Sequence, residues 1–273
     1  MNQTISADLK LRVKNTLLNN FDIQIVRVLP EDLENLKVFF KRIAPVSTNH
    51  KLIRLGNDND GGYLVPDDLA GVKTCFSPGV SSTADFELDL TKREIKCYLA
   101  DYSVESAPID NSLISFEKKF LGIENSSATM TLTGWIDRNA EREDNDLILQ
   151  MDIEGAEYDV LIETPIDVLD RFRILIIEFH RVDQILNPMG FKLINGVFTK
   201  LLNSFRIVHI HANNDSESVN YREFSIPPVL EFTFLRTDRI SSFAPTKSFP
   251  HELDRPNLPL KNDFPLPGCW YGK

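Results

Sequence analysis

Residues 147–161, Leu-Ile-Leu-Gln-Met-Asp-Ile-Glu-Gly-Ala-Glu-Tyr-Asp-Val-Leu, constrain the fold more than any other stretch of the chain. The segment opens as a short apolar run of buried-strand type, then places Asp152, Glu154 and Glu157 where the strand ends and a helix begins. In an open α/β sheet, ligands sit at the carboxyl ends of the strands. Three acids crowded at one strand mouth are therefore read as meeting a ligand rather than solvating a loop.

Strands and helices alternate on both sides of this centre. Helices are predicted over 6–19 and 30–43, the second opening with Pro30 in its first turn and aligning Leu33, Leu36, Phe40 and Ile43 on one face. The Asp60-Gly61-Gly62-Tyr63 segment reads as a tight turn where glycine permits a close backbone approach, and a plain hairpin turn is an equal reading. An apolar strand over 72–76, a loop Ser77-Pro78-Gly79-Val80-Ser81-Ser82-Thr83 and a helix from Ala84 form the first half of a nucleotide-binding unit. The next strand, 95–100, ends at Asp101, about twenty residues beyond the loop, where an acid can accept hydrogen bonds from both ribose hydroxyls of an adenosine, and a strand-end acid facing solvent is an equal reading.

Residues 105–122 read as a mixed connection and 128–135 as a short strand leading into a helix. A helix over 158–171 is interrupted by Pro165, and the apolar strand 174–180 ends with Glu178 and His180 on one side of the chain. A helix over 190–203, a strand over 206–211 closed by Asn213-Asn214, and a final strand over 229–236, antiparallel to its neighbour, complete a seven-stranded, mostly parallel sheet. The tail from Ser241 carries six of the fifteen prolines and is expected to wrap the surface in extended form. The organisation read from this pass is a helical extension over 1–48, a main domain over 49–240 and a tail over 241–273.

Composition sets the boundaries of function. A formal charge of −10 with no basic stripe argues against nucleic-acid binding, and no apolar run approaches the length of a membrane span. Cys75, Cys97 and Cys269 are odd in number and show no zinc spacing, so they read as buried thiols of a reducing compartment. With no basic segment and apolar core of a secretory signal at its start, the chain is expected in the cytoplasm.

Together the motifs resemble the FkbM-type S-adenosylmethionine-dependent methyltransferases. The resemblance rests on Asp60-Gly61-Gly62-Tyr63, Gly79-Val80 before Phe86-Glu87, Asp152-Ile153-Glu154-Gly155-Ala156-Glu157, Glu178-Phe179-His180, and Asn213-Asn214 before residues 227–233. It runs from about residue 50 to 260, and the Asp-x-Glu-Gly-x-Glu element combined with Glu-x-His is its most specific part. It implies a class I methyltransferase (Rossmann-like) fold, bound S-adenosylmethionine, and most often O-methylation of a hydroxyl on a sugar, glycan or secondary metabolite. The chain departs from the pattern in a thinned glycine loop and in Tyr102-Ser103 after Asp101.

On this reading Asp60, Gly61, Gly62, Tyr63, Ser77, Gly79, Val80, Glu87, Asp101 and Asp152 line the cofactor side, and Glu178, His180 and His211 face the acceptor. Two chemistries remain open. His180 or His211 takes the acceptor proton, with Asp152 or Glu178 orienting the imidazole; or Asp152, Glu178 and His180 hold a divalent cation such as magnesium or manganese against two hydroxyls. His211, near a strand end, reads also as a satisfied structural histidine. Glu157 is assigned mainly to helix capping, and Trp135 and Tyr63 are candidates for stacking on adenine or acceptor. Competing functions are the same fold methylating a polyketide, lipid or protein side chain, a dinucleotide oxidoreductase, whose fuller glycine fingerprint is missing, and a non-catalytic Rossmann-like binding module.

Overall fold

The computed structural model describes residues 29–271; the helix expected over 6–19 lies outside them. Helix α1, Leu33–Ile43, begins three residues later than Pro30, because the Asp32 carboxylate accepts the backbone N–H groups of Glu34 and Asn35 and so caps it there. Its buried face includes Phe39 as well as Leu36, Phe40 and Ile43. A short strand β1, Val46–Thr48, precedes a hairpin of β2, Leu52–Gly56, and β3, Gly62–Pro66. The Asp60-Gly61-Gly62 segment is thus a hairpin turn, and at Gly62 an added Cβ would stand 1.9 Å from the Asn57 carbonyl oxygen.

The sheet then builds outward from β4, Thr74–Pro78, which leads through the Gly79 loop into α2, Asp85–Thr91, and on to β5, Lys96–Ala100, and β6, Ile114–Glu117. The pair β7, Phe120–Leu121, and β8, Thr129–Met130, stands outside the sheet, and α3, Leu132–Asn139, follows. The segment 128–135 is, as expected, a short strand leading into a helix, but that strand lies outside the main sheet, whose edge strand is β6, within the 105–122 connection. Its four residues are all half-buried, so it shows no alternation of inward and outward positions.

Strand β9, Leu147–Met151, runs into α4, Glu157–Glu163, and the break at Pro165 gives a separate α5, Ile166–Leu169. After β10, Phe172–Phe179, come α6, Pro188–Leu201, and β11, Phe205–Ala212. The hairpin β12, Val219–Tyr221, and β13, Phe224–Ile226, leads to β14, Leu230–Arg236, and the tail contributes β15, Phe243–Pro245. The seven-stranded sheet has the order β11-β14-β10-β9-β4-β5-β6. Only β14 runs against its neighbours, β10 and β11, and the other pairs are parallel. This is the expected class I methyltransferase fold, and its strands β9 and β10, covered on both faces, are buried at every position.

One core layer packs α1, α4 and α6 on the sheet through an aromatic cluster in which Phe198 contacts Phe39, Phe179 and Phe232. The other packs α2 and the β2–β3 hairpin on the opposite face. The tail crosses from β15, paired with β1, to Trp270, which packs edge-on against Phe40. Among the described residues no helix is long and apolar enough to cross a membrane.

Two features lock the mouth of β4. Gly79 has φ +88°, and a Cβ there would fall 1.5 Å from the Asp152 carbonyl oxygen, so the first loop touches the end of β9 directly. Beneath it, Ser77 Oγ bonds Glu87 and the Gln150 side-chain oxygen, and Gln150 Nε2 donates to the Tyr63 hydroxyl at 3.1 Å. Burial pushes the Glu87 carboxyl up to about 7, and a protonated Glu87 lets the chain of hydrogen bonds run in one direction through Ser77 to Gln150.

Gly79→Ala is expected to destabilise the protein by about 3 kcal/mol or to expel the loop from Asp152, measured by urea unfolding. Glu87 holds its proton more tightly folded than unfolded, so stability is lost as pH rises from the ordinary 4.5 through about 7. Glu87→Gln cannot ionise, and its stability relative to wild type should therefore rise by about 3 kcal/mol across that window. A pH-independent difference between the two unfolding curves would show that Glu87 is not held neutral.

Candidate active site

The carboxyl ends of β4, β5 and β9 open into a cleft of about 670 Å³, a size suited to a nucleoside-containing ligand. Asp60, Gly79, Ser81, Asp101 and Asp152 line it, together with Phe120, Leu121 and Ile153. A narrower crevice beside it is lined by Gly61, Tyr63, Val80 and Glu87. Backbone strain concentrates here: Ser81, Glu154 and Arg181, which follow the ends of β4, β9 and β10, all have positive φ. Such conformations cost on the order of 1–3 kcal/mol each and persist where surrounding contacts dictate them.

Asp101 sits at one end of the cleft. Its carboxylate accepts Ser81 N at 2.9 Å, Ser103 N at 2.7 Å and Ser103 Oγ at 2.6 Å, which orients it and leaves lone-pair capacity toward the cleft. Phe120 beside it is an exposed aromatic, in tilted contact with Tyr102. Neither stacking candidate from the sequence is in that position. Trp135 is fully buried on α3 against Phe76, and Tyr63 is buried with its ring edge-on to Phe86. Nothing in the sequence singled out Phe120, which lies in a connection without periodicity. Ser77 is wholly buried below the cleft, so among the expected cofactor residues it supports Glu87 instead of lining the wall.

At the other end His180 is held by an acid that sequence reading placed elsewhere. Glu157, fully buried at the start of α4, accepts the N–H groups of Ile153 and Gly155 at 3.2 and 3.0 Å, and its Oε1 lies 3.1 Å from His180 Nδ1. Glu157 therefore orients the imidazole, a role expected of Asp152 or Glu178. Its spacing in the Asp-x-Glu-Gly-x-Glu element was visible, but the bend of the loop that turns it back toward β10 was not. His180 Nε2 then faces Glu154, Glu178 and Asp152 at 3.5, 3.6 and 3.9 Å.

These acids carry little compensation. Asp152 Oδ1 and Glu178 Oε2 are buried with no hydrogen-bond partner. Burial pushes Asp152 up to about 7, against the pull of His180, and burial with the neighbouring Asp152, Glu231 and Asp60 holds Glu178 well above the ordinary carboxylate range. Burial opposes the charging of His180, but Glu157, Asp152 and Glu154 outweigh it and raise its pKa.

Of the two readings of His211, candidate base and satisfied structural residue, its contacts fit the structural one. Its two ring nitrogens meet Glu231 at 3.3 Å and Asp263 at 3.2 Å. Although burial opposes the charge, these acids push the imidazole up to about 11, so at neutral pH it is a cation with both nitrogens committed and takes no further proton. Asn214, expected only as part of a motif, clamps the tail: its amide donates to the carbonyls of Leu258, Lys261 and Asn262 and accepts Leu258 N.

The donor set fits the cofactor that the sequence implied. A concave wall with an oriented Asp101, an apolar Phe120–Leu121 side and a glycine whose Cβ would strike Asp152 suits an adenosyl group, and acids further along suit a sulfonium cation. The profile of the Methyltransferase FkbM domain matches residues 48–205, more than half of the chain. No curated protein matches the chain. Solved structures similar to it include a fibrillarin/Nop5p complex, 11% identical with a TM-score of 0.38, covering 62% of this chain and 74% of that one. Another is a point mutant of the 16S rRNA (adenine(1408)-N(1))-methyltransferase from Catenulisporales acidiphilia, 10% identical with a TM-score of 0.28, covering 68% of this chain and 97% of that one. The chain belongs to the FkbM methyltransferase family and is an S-adenosylmethionine-dependent methyltransferase.

Proposed function

We propose that the protein methylates a hydroxyl of a sugar or glycan, within a catalytic domain spanning 49–240 that the tail over 241–273 completes. The observation that carries this reading is the polarity of the acceptor end. Asp60, Asp152, Glu178 and His180 gather there with Asn213, whose amide reaches Glu178 at 3.4 Å, a surface rich in acceptors for the several hydroxyls of a carbohydrate. A lipid or polyketide acceptor would call for an apolar wall at that end.

In this reading Asp101 binds the ribose hydroxyls, Gly79 and Val80 bring the backbone against the cofactor, and Asp152 faces the sulfonium region. Bound S-adenosylmethionine supplies an electrophilic methyl group, so the protein's task is to position and deprotonate the acceptor. Glu157 accepts a hydrogen bond from His180 Nδ1–H, a tautomer that leaves Nε2 as the unprotonated nitrogen directed at the acceptor hydroxyl. The acids around Nε2 make the neutral imidazole a stronger proton acceptor than a free one. Glu178 and Asp152 accept hydrogen bonds from neighbouring hydroxyls and hold the acceptor in line.

A second reading has Asp152, Glu178 and His180 bind a hard divalent cation, whose chemistry would be to lower the pKa of a bound hydroxyl. The unpartnered Asp152 Oδ1 favours it, and it would remove Nε2 from proton transfer.

Isothermal titration with S-adenosylhomocysteine should show binding, and Asp101→Ala should weaken it by about 2 kcal/mol, the scale of hydrogen bonds to a charged group. Unchanged affinity would remove Asp101 from the cofactor site. In a methyl-transfer assay over sugar nucleotides and oligosaccharides, His180→Gln should lower kcat by roughly 10²-fold or more while leaving S-adenosylhomocysteine affinity intact. Transfer to an apolar acceptor but to no carbohydrate would overturn the acceptor assignment.

A further inference from the structure

Glu178 on β10 and Glu231 on β14 are paired directly opposite each other in the antiparallel ladder, and both are buried. Like charges in that relation destabilise a sheet, and Asp60 from the hairpin turn adds a third. One ligand oxygen from each of the three lies within 4.8 Å of the others, a spacing that matches ligands arranged around one divalent ion at about 2.1–2.4 Å. The protein's own cations meet this charge only in part. His211 takes one oxygen of Glu231, and Arg54 directs its guanidinium to the carbonyls of Asn57 and Asn59.

Two unpartnered atoms point to a missing ligand. Glu178 turns Oε1 toward His180 and Asn213, while its Oε2 is buried with no partner. Asn257, from the tail and 5% exposed, donates Nδ2 to Glu231 at 2.7 Å and Asp60 at 3.2 Å, and its Oδ1 likewise has no partner. Rotating that amide by half a turn exchanges nitrogen for oxygen at the point between the two acids. A cation there would accept the oxygen where the acids alone accept the N–H group.

We propose that Asp60, Glu178 and Glu231 form a site for a hard divalent cation, magnesium or manganese, with the Asn257 amide oxygen as a fourth ligand. All four ligands are oxygens, the preference of such ions. The site shares Glu178 with the Asp152–Glu178–His180 triad but uses its other oxygen, Oε2, and does not include His180, whose Nε2 stays free for a proton. It also makes the proline-rich tail a part of the acceptor end. Its use, holding paired hydroxyls of the acceptor, rests on the carbohydrate reading; its existence does not.

The probe is Mn²⁺ titrated into the full chain, with the free ion followed by electron paramagnetic resonance. Wild type should bind Mn²⁺, Glu231→Gln and Asn257→Leu should each weaken binding by on the order of tenfold or more, and His180→Ala should retain the wild-type affinity. Circular dichroism checks each fold, and Asn257→Leu, a change in the tail, carries the test if Glu231→Gln does not fold. Wild type leaving Mn²⁺ free at millimolar concentration overturns the proposal. So does binding lost in His180→Ala and kept in Glu231→Gln, which would move the ion to the other triad. S-adenosylhomocysteine titration of the same samples separates the two failures: cofactor bound without Mn²⁺ defeats the cation site alone, and Mn²⁺ bound without cofactor defeats the cofactor cleft alone.

Discussion

One carboxylate oxygen, Glu157 Oε1, ties together the ends of two neighbouring strands. It accepts two N–H groups of the loop that leaves β9 and meets the imidazole that ends β10. A fully buried carboxylate is expensive to desolvate, and charge-assisted hydrogen bonds of this kind, on the order of 1.5–3 kcal/mol each, offset that cost only while the loop keeps its shape. The left-handed backbone at Glu154 and Gly155 is part of that shape. Lose the contact and Asp152, Glu154 and His180 lose their common frame.

The cleft therefore has two ends of different character. At Asp101 the acid is held by Ser103 of its own loop and Ser81 of the loop after β4 and flanked by exposed or apolar side chains, a surface prepared for a flat, partly apolar group. Around Glu178 the acids outnumber their partners, and carboxyls are held above their ordinary pKa by burial and by one another. Functional sites tolerate such frustration because a ligand relieves it. His211 and Asp263 show the opposite case, a charge already balanced within the fold.

The tail is tied both to β1 and to this arrangement. Asn214 holds its backbone, Asn257 joins it to two acids, and β15 pairs it with β1 ahead of the sheet. Proline favours extended backbone without ladder partners, which suits a segment anchored mainly by side chains reaching out from the domain.

Much of this was legible in the letters. Largely apolar runs marked β4, β5, β9, β10, β11 and β14, since strands covered on both faces are mostly apolar, and the acids at their ends marked the cleft. The edge strand β6 was not legible, because half-buried residues carry no period. Nor was Phe120, whose exposure depends on a pair of short strands outside the sheet. Local sequence determined which elements form and which of their ends carry acids, because periodicity, turn chemistry and capping act over a few residues. Only the tertiary structure decided that Glu157 and not Asp152 orients His180, that His211 is held as a cation, and that Asn257 meets Asp60 and Glu231. Those outcomes depend on distances between residues 20 to nearly 200 positions apart, and electrostatics in a buried site follows distance in space rather than order along the chain.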